Sequence, residues 1–138
     1  MAIEICWLDD LLKAQETARK VNKPILLDFY NPQCLGCQQM GAVTHPDERV
    51  ARFISLNFVP VQVQTSNQML MQRFAVSWTP TLLVLDSDGR EHYRTWGFFS
   101  PEDLVATFLT AKGRWALGTD QLPEARALFE EVISCYPG

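Results

Sequence analysis

Apolar residues in the first third of the chain change their spacing twice, and each change marks an element. Trp7, Leu11, Ala14, Ala18 and Val21 recur at alternating four- and three-residue steps, the stripe of an amphipathic helix predicted over about residues 8–21. Asp9 and Asp10 lie at its start and Arg19, Lys20 and Lys23 at its end, as the helix macrodipole favours. Pro24 stops it. Ile25 to Tyr30 is then apolar apart from Asp28, the pattern of a central strand covered on both faces.

Helical spacing resumes at Cys34, breaks near Gly41 and Pro46, and returns through Val50, Phe53 and Ile54 to about Leu56, so one kinked helix or two consecutive helices both fit. Phe58–Val63 is the next predicted strand, Gln68–Phe74 a short helix and Thr81–Asp86 a third strand. Ser87-Asp88-Gly89 is a turn signal that lets Glu91–Trp96 return antiparallel. Ser100 is placed as an N-cap, with Pro101 first in the helix and Glu102 and Asp103 in its first turn; this helix is expected to reach about Leu117. The order α, β, α, β, α, β, β, α describes a parallel βαβ unit followed by a hairpin. Right-handed crossover then puts helices on both faces of a mixed sheet, an α/β fold class.

At 138 residues and 47% hydrophobic content, the chain can bury one sizeable core without staples. Its net charge of −4, with basic residues scattered, offers no stripe for phosphates and no polybasic anchor, which excludes nucleic acid and membrane as expected partners. The N-terminal decapeptide from Met1 to Asp10 lacks the charged and apolar regions of a secretory signal, and no apolar run approaches a membrane span. The expected compartment is cytoplasmic, or periplasmic if a signal segment was removed. Four cysteines, at positions 6, 34, 37 and 135, are too few for a disulfide framework at this length.

The chemistry is concentrated in Cys34-Leu35-Gly36-Cys37, directly after the apolar strand. Two cysteines three apart at a helix start share one face of the first turn, within the Cα separation a disulfide tolerates. Cys34 meets unpaired N–H groups and the positive end of the helix, which lower a thiol pKa from about 8.5 toward neutrality or below. Cys37, one turn inside, suits a less acidic resolving thiol. Two other readings stand beside the redox one: half of a zinc site, for which the remaining Cys6, Cys135, His45 and His92 are scattered singly, and a pair of structural thiols. Asp28 is the second candidate, since a carboxylate in an apolar strand must be paired or protonated and burial raises its pKa. A carboxylate satisfied by a neighbouring hydroxyl or N–H is its structural alternative.

Ile25-Leu-Leu-Asp28-Phe-Tyr, Cys34-x-x-Cys37, Val76-Ser-Trp-Thr79-Pro80-Thr81, Asp88-Gly89 and Gly97 before a C-terminal helix follow one another as in thioredoxin. The chain therefore resembles the thioredoxin superfamily over about residues 3–112. Asn22-Lys23-Pro24-Ile25 and the segment Val50 to Val63 look more like the thioredoxin-like domains related to the C-terminal domain of the DsbD reductase. The resemblance implies a thioredoxin fold with a central mixed sheet, a cis Thr79–Pro80 bond set against Cys34, and a substrate surface that includes Leu35, Trp78, Thr79 and Pro80. It also implies that Asp28 accepts the Cys37 proton, and that the chain is a thiol:disulfide oxidoreductase acting on disulfide-containing protein substrates, fed by an electron-donor reductase, with no organic cofactor and no metal.

The chain departs from thioredoxin at Gln33, where thioredoxin has tryptophan, at Leu35-Gly36 in place of Gly-Pro, and at Trp78 in place of a small residue. The strand around Phe58–Gln64 also lacks the lysine that accompanies the buried aspartate in thioredoxin. A non-catalytic interaction module of the same fold is the alternative function.

The remaining candidates are assigned to structure. His45, before Pro46, is expected to cap or surface a helix break, and His92 has no partner in view. Cys6 and Cys135 are expected to be buried or half-buried, and Trp7, Trp96 and Trp115 to lie in the core or a seam. Residues 1–112 are taken as the thioredoxin-like domain and 113–138 as a C-terminal helical extension. Gly113, Ala125, Phe129 and Pro137 are spaced as in a tetratricopeptide repeat, with a second helix over Leu122–Cys135. A single repeat cannot bury its own face, so this hairpin packs on the body or is completed by a protein partner.

Overall fold

The computed structural model describes residues 3–136. Four strands, β1 (Ile25–Tyr30), β2 (Val59–Gln64), β3 (Thr81–Leu85) and β4 (Glu91–Trp96), form one sheet in the order β2-β1-β3-β4. β1 runs parallel to β2 and antiparallel to β3, and β3 pairs antiparallel with β4. Among the described residues six α-helices surround it: α1 (Leu11–Val21), α2 (Leu35–Gln39), α3 (Glu48–Asn57), α4 (Gln68–Arg73), α5 (Pro101–Gly118) and α6 (Leu122–Cys135). This is the mixed, helix-flanked sheet that the order of elements implies.

Period-two alternation along β1 and β3 divides the core into two layers. Ile25, Leu27, Phe29, Leu83 and Leu85 face α1 together with Val59, Val61 and Val63 of β2. Leu26, Leu82 and Val84 face α3 and α5, where Phe108, Ile54, Val50 and Met40 fill the space. Asp28 shares the parity of Leu26 and is 2% exposed. The strand thus carries a carboxyl into the α3/α5 layer.

α1 starts at Leu11, three residues later than its apolar stripe suggests, because the Asp10 carboxylate caps it by accepting from the Leu12 and Lys13 N–H groups. Leu8 instead bridges Val61 at the sheet edge, with Leu8 N–H donating to the Pro60 carbonyl at 2.9 Å and Gln62 N–H to the Leu8 carbonyl at 2.8 Å. Trp7 packs on the α3/α5 layer rather than on the α1 side. Val21, the last residue of the supposed stripe, is exposed.

Three further expectations are corrected. Cys6 and Cys135 are exposed, one ahead of the Leu8 bridge and the other at the end of α6. Trp96 is exposed at the end of the edge strand β4, where Thr95 and Tyr93 take the inward positions; Trp115 is buried as expected. His92 does have a partner: its Nε2 lies 2.8 Å from Asp86 Oδ2.

α5 is capped by Ser100, whose hydroxyl accepts from the Asp103 N–H at 3.2 Å, and runs unbroken through Gly113. α6 folds back on it, placing Ala125 and Leu128 in the same layer as Phe108, Trp115 and Ala116. Gly113 permits this approach, since a Cβ there would stand 2.6 Å from Phe129 Cε1. Pro137, the last residue of the repeat-like spacing, lies outside the described residues. No helix among the described residues is long and apolar enough to cross a membrane.

Candidate active site

β1 delivers the chain to the site. After Tyr30, the Asn31 side chain accepts from Gln33 N–H at 3.0 Å and the Asn31 carbonyl from Cys34 N–H at 2.9 Å, a tight turn that makes Cys34 the N-cap of α2. Its extended backbone (φ −79°, ψ 126°) sets Sγ over the first turn, where the Cys37 N–H donates to it at 3.4 Å. The Cys34 thiol in turn donates to the Thr79 carbonyl at 3.2 Å. Both cysteines are free thiols.

The loop facing them carries a cis Thr79–Pro80 bond. Thr81 Oγ1 donates to the Trp78 carbonyl at 2.6 Å, and Gly97 N–H to the Pro80 carbonyl at 2.9 Å, so β3 and the end of β4 hold the loop from both sides. A Cβ on Gly36 would lie 3.0 Å from Pro80 Cδ, and glycine is what lets helix and loop meet there. Leu35 and Trp78, 70% and 64% exposed, stand beside Cys34 and Thr79 as two apolar side chains in solvent.

The two thiols are pushed in opposite directions. Partial burial alone would raise Cys34, but hydrogen bonds to its sulfur from the Thr79 side chain, from Cys37 and from the N–H groups of the first turn outweigh it and hold the thiol below its ordinary value. Burial pushes Cys37 up to about 11, against a weaker lowering influence of a backbone hydrogen bond at Asn31. An accessible, acidified thiol therefore lies one turn from a sheltered, protonated one.

Behind Cys37 lies a pocket of about 230 Å³ whose lining includes Asp28, Tyr30, Cys37, His45, Gln62 and Pro80. Asp28 Oδ2 accepts from Gln62 Nε2 at 3.1 Å, a pair set by the parallel register of β1 and β2, while Oδ1 is buried with no hydrogen-bond partner among the described protein atoms. Burial raises the Asp28 carboxyl to about 7, opposed by the Gln62 hydrogen bond. The carboxyl thus changes charge near neutrality, where it can give or take a proton.

The structure brings Cys34, Cys37, Thr79, Pro80 and Asp28 together, and two further residues join them: Gln62, which the sequence pattern did not single out, and His45, which it assigned to structure. Gln62 could have been found from the register alone, as the β2 residue opposite Asp28. His45 does cap the helix break, its N–H closing the turn onto the Met40 carbonyl, but it does not surface: its ring sits in the pocket, tilted against Trp7 with centroids 5.1 Å apart, and its Nε2 is buried without a partner among the described atoms. Burial lowers it to about 4, so the imidazole is neutral at pH 7. No group of three or more His, Cys, Asp or Glu side chains that could hold a metal is present among the described residues.

The family model for the Thioredoxin-like domain matches residues 11–112, most of the chain. The chain belongs to this family. Among its relatives is the thiol:disulfide interchange protein DsbD of Ralstonia nicotianae, 29% identical over 79% of this chain and 18% of that protein. The chain accordingly spans less than a fifth of the length of the curated relatives it matches. Among solved structures, the oxidised C-terminal domain of Neisseria meningitidis DsbD aligns with a TM-score of 0.63 at 25% identity, covering 75% of this chain and 97% of that domain. The DsbH oxidoreductase aligns with a TM-score of 0.72 at 21% identity over 80% of this chain and 85% of that one, a likeness of fold. In this thioredoxin-like domain, the cysteine pair lies at the junction of β1 and α2.

Proposed function

We propose that this thioredoxin-like domain is a thiol:disulfide oxidoreductase that reduces disulfides in protein substrates through the Cys34–Cys37 pair. The observation that carries the reading is the opposite perturbation of two thiols in one helical turn, with a carboxyl that titrates near neutrality behind the deeper one. The names of its DsbD relatives support the reaction class.

In the proposed cycle, the Cys34 thiolate attacks one sulfur of the substrate disulfide; that S–S bond breaks and the other substrate sulfur leaves as a thiolate. Cys37 then gives its proton to the Asp28 carboxylate and attacks Cys34 Sγ. The mixed disulfide breaks, the second substrate thiolate leaves, and the Cys34–Cys37 disulfide forms. Two electrons pass from the dithiol to the substrate. A reductase must return them for another turn. Exposed Leu35 and Trp78 would contact the substrate flanks, and the Thr79 backbone beside Pro80 would pair with an extended segment as a short β-like contact. The pair serves as a net reductant wherever such a donor keeps it reduced, in the cytoplasm or in an oxidising compartment. On the outer face of α6, exposed Leu122 and Ile133 leave room for a protein partner.

The test follows reduction of a single-disulfide protein. Cys34→Ser should abolish it, whereas Cys37→Ser should retain the first attack and accumulate a mixed disulfide visible as a mass adduct. Equal activity in wild type and both variants refutes the assignment.

A further inference from the structure

The pocket behind Cys37 holds two polar atoms without a partner among the described residues, and the exchange cycle accounts for one of them. Asp28 Oδ1 is explained by proton transfer; His45 Nε2 is not. A buried polar group without a partner is costly, so its retention in a cavity that also holds a titrating carboxyl calls for an account. The titratable groups facing this space are Asp28 and Tyr30 from β1, Cys37 from α2 and His45 itself, with the Cys34 thiol at the α2 cap beyond. Gln62 from β2 adds a neutral amide, and no lysine or arginine is among the lining residues.

That composition sets a problem for the resolving step. When Asp28 is ionised, ready to take the Cys37 proton, its negative charge rests on one amide hydrogen bond, from Gln62 to Oδ2. No cation lines the cavity to offset it. A neutral imidazole can present an N–H at Nε2, and the volume of about 230 Å³ accommodates several waters, each of which needs two to four polar partners. His45 Nε2 and Asp28 Oδ1 are two such partners in one cavity.

We propose that His45 is a positioning residue for Asp28: across the pocket behind Cys37 its Nε2–H, acting through bridging water, hydrogen-bonds the ionised Asp28 carboxylate and thereby sets the pH at which that carboxylate accepts the Cys37 proton. The role rests on the proposed Cys34–Cys37 exchange and deepens it. His45 does not take the proton in this scheme. It stabilises the base in its charged form, and its low proton affinity keeps the ring neutral across the working range, with its single N–H placed at Nε2 in this scheme.

The test reads Asp28 directly. The carboxyl ¹³C resonance of Asp28 is titrated in the reduced wild type, His45→Phe and His45→Gln, and the rate of Cys37 resolution is followed over the same pH range. Phenylalanine keeps the ring volume and removes the donor, so the Asp28 midpoint and the resolution profile should both move up by about one pH unit. Glutamine restores an N–H and should keep both close to wild type. An unchanged Asp28 midpoint in His45→Phe overturns the proposal. A second measurement requires no change at position 45: the imidazole ¹⁵N shifts of His45 in wild type should follow the Asp28 titration near pH 7 and lose that inflection in Asp28→Asn. Absence of the inflection in wild type also overturns it. Failure of the exchange reading itself would look different, as cysteine-independent activity with the Asp28–His45 resonances still linked.

Discussion

Replacing Asp28 by asparagine should unmask a pH dependence of stability that the wild-type chain conceals. A carboxyl raised from 3.8 to about 7 in the fold stays protonated where the unfolded chain has already ionised. Between about pH 4 and 7 the native state therefore binds more protons, and stability falls as pH rises. His45 works the other way. Its imidazole is lowered from 6.5 to about 4, so the unfolded state binds the extra proton in that window and stability rises with pH. At 1.36 kcal/mol per unit, the shifts amount to about 4 kcal/mol for Asp28 and about 3 kcal/mol for His45, of opposite sign over nearly the same range. They largely cancel in wild type. Asp28→Asn should thus gain about 4 kcal/mol relative to wild type between pH 4 and 8, and His45→Phe should lose about 3 kcal/mol relative to wild type between pH 4 and 7. The assay is urea unfolding at fixed pH steps with the cysteines kept reduced, comparing each variant with wild type so that groups outside this pocket drop out. Stability differences that stay constant with pH would refute the claim that these two groups are buried in their neutral forms.

Other consequences are as direct. Alkylation of Cys34 should reach half its maximal rate below the pH of an ordinary thiol, while Cys37 in Cys34→Ser, still raised by burial, should react only above it; matching profiles for the two would contradict their opposed environments. Gly36→Ala brings a Cβ to 3.0 Å from Pro80 Cδ and should slow disulfide exchange by about ten-fold with little change in melting temperature, because the cis-proline loop must move away from Cys34. Gly113→Ala places a Cβ 2.6 Å from the Phe129 ring, and overpacking at the α5–α6 contact should outweigh the better helix propensity of alanine, lowering stability by about 1–2 kcal/mol in denaturant unfolding. A gain in stability there would show that the ring swings away freely.

The sheet and the later helices were legible because each carries its own punctuation. β1 lies between Pro24 and the turn at Asn31, β4 follows the Asp88-Gly89 turn, and α5 opens with Ser100-Pro101, so local chemistry fixes where each begins. The first helix was misplaced for an equally physical reason. Trp7 and Leu8 continue its apolar spacing by coincidence while serving the sheet edge and the opposite core layer, and only the Asp10 cap distinguishes the two uses. Trp96 was misjudged because burial of a large side chain on an edge strand depends on what covers that edge, which is a tertiary fact.

At the site, the thiols and Asp28 announce themselves through unusual chemistry in an apolar setting, whereas His45 is hidden by a change in helical register. Eight residues after Cys37, an unbroken α-helix would turn His45 roughly 80° away from that cysteine. Between them, however, Met40–Thr44 winds as a π-helix, closed by His45 N–H donating to the Met40 carbonyl at 2.8 Å. One extra residue in a turn sets everything after it back by roughly 100°, which returns position 45 to the face of Cys37. The segment is held by contacts distant in sequence: Thr44 Oγ1 donates to the Phe99 carbonyl, and the Phe99 N–H meets Met40 Sδ at 3.3 Å. The loop before α5 thus helps to stabilise the wider turn, and the turn delivers the imidazole to the Asp28 pocket. No local pattern in Met40–His45 encodes that outcome. It follows only once the sheet has brought Phe99 against α2, so the residue placed to tune the site could be found only after the fold that places it.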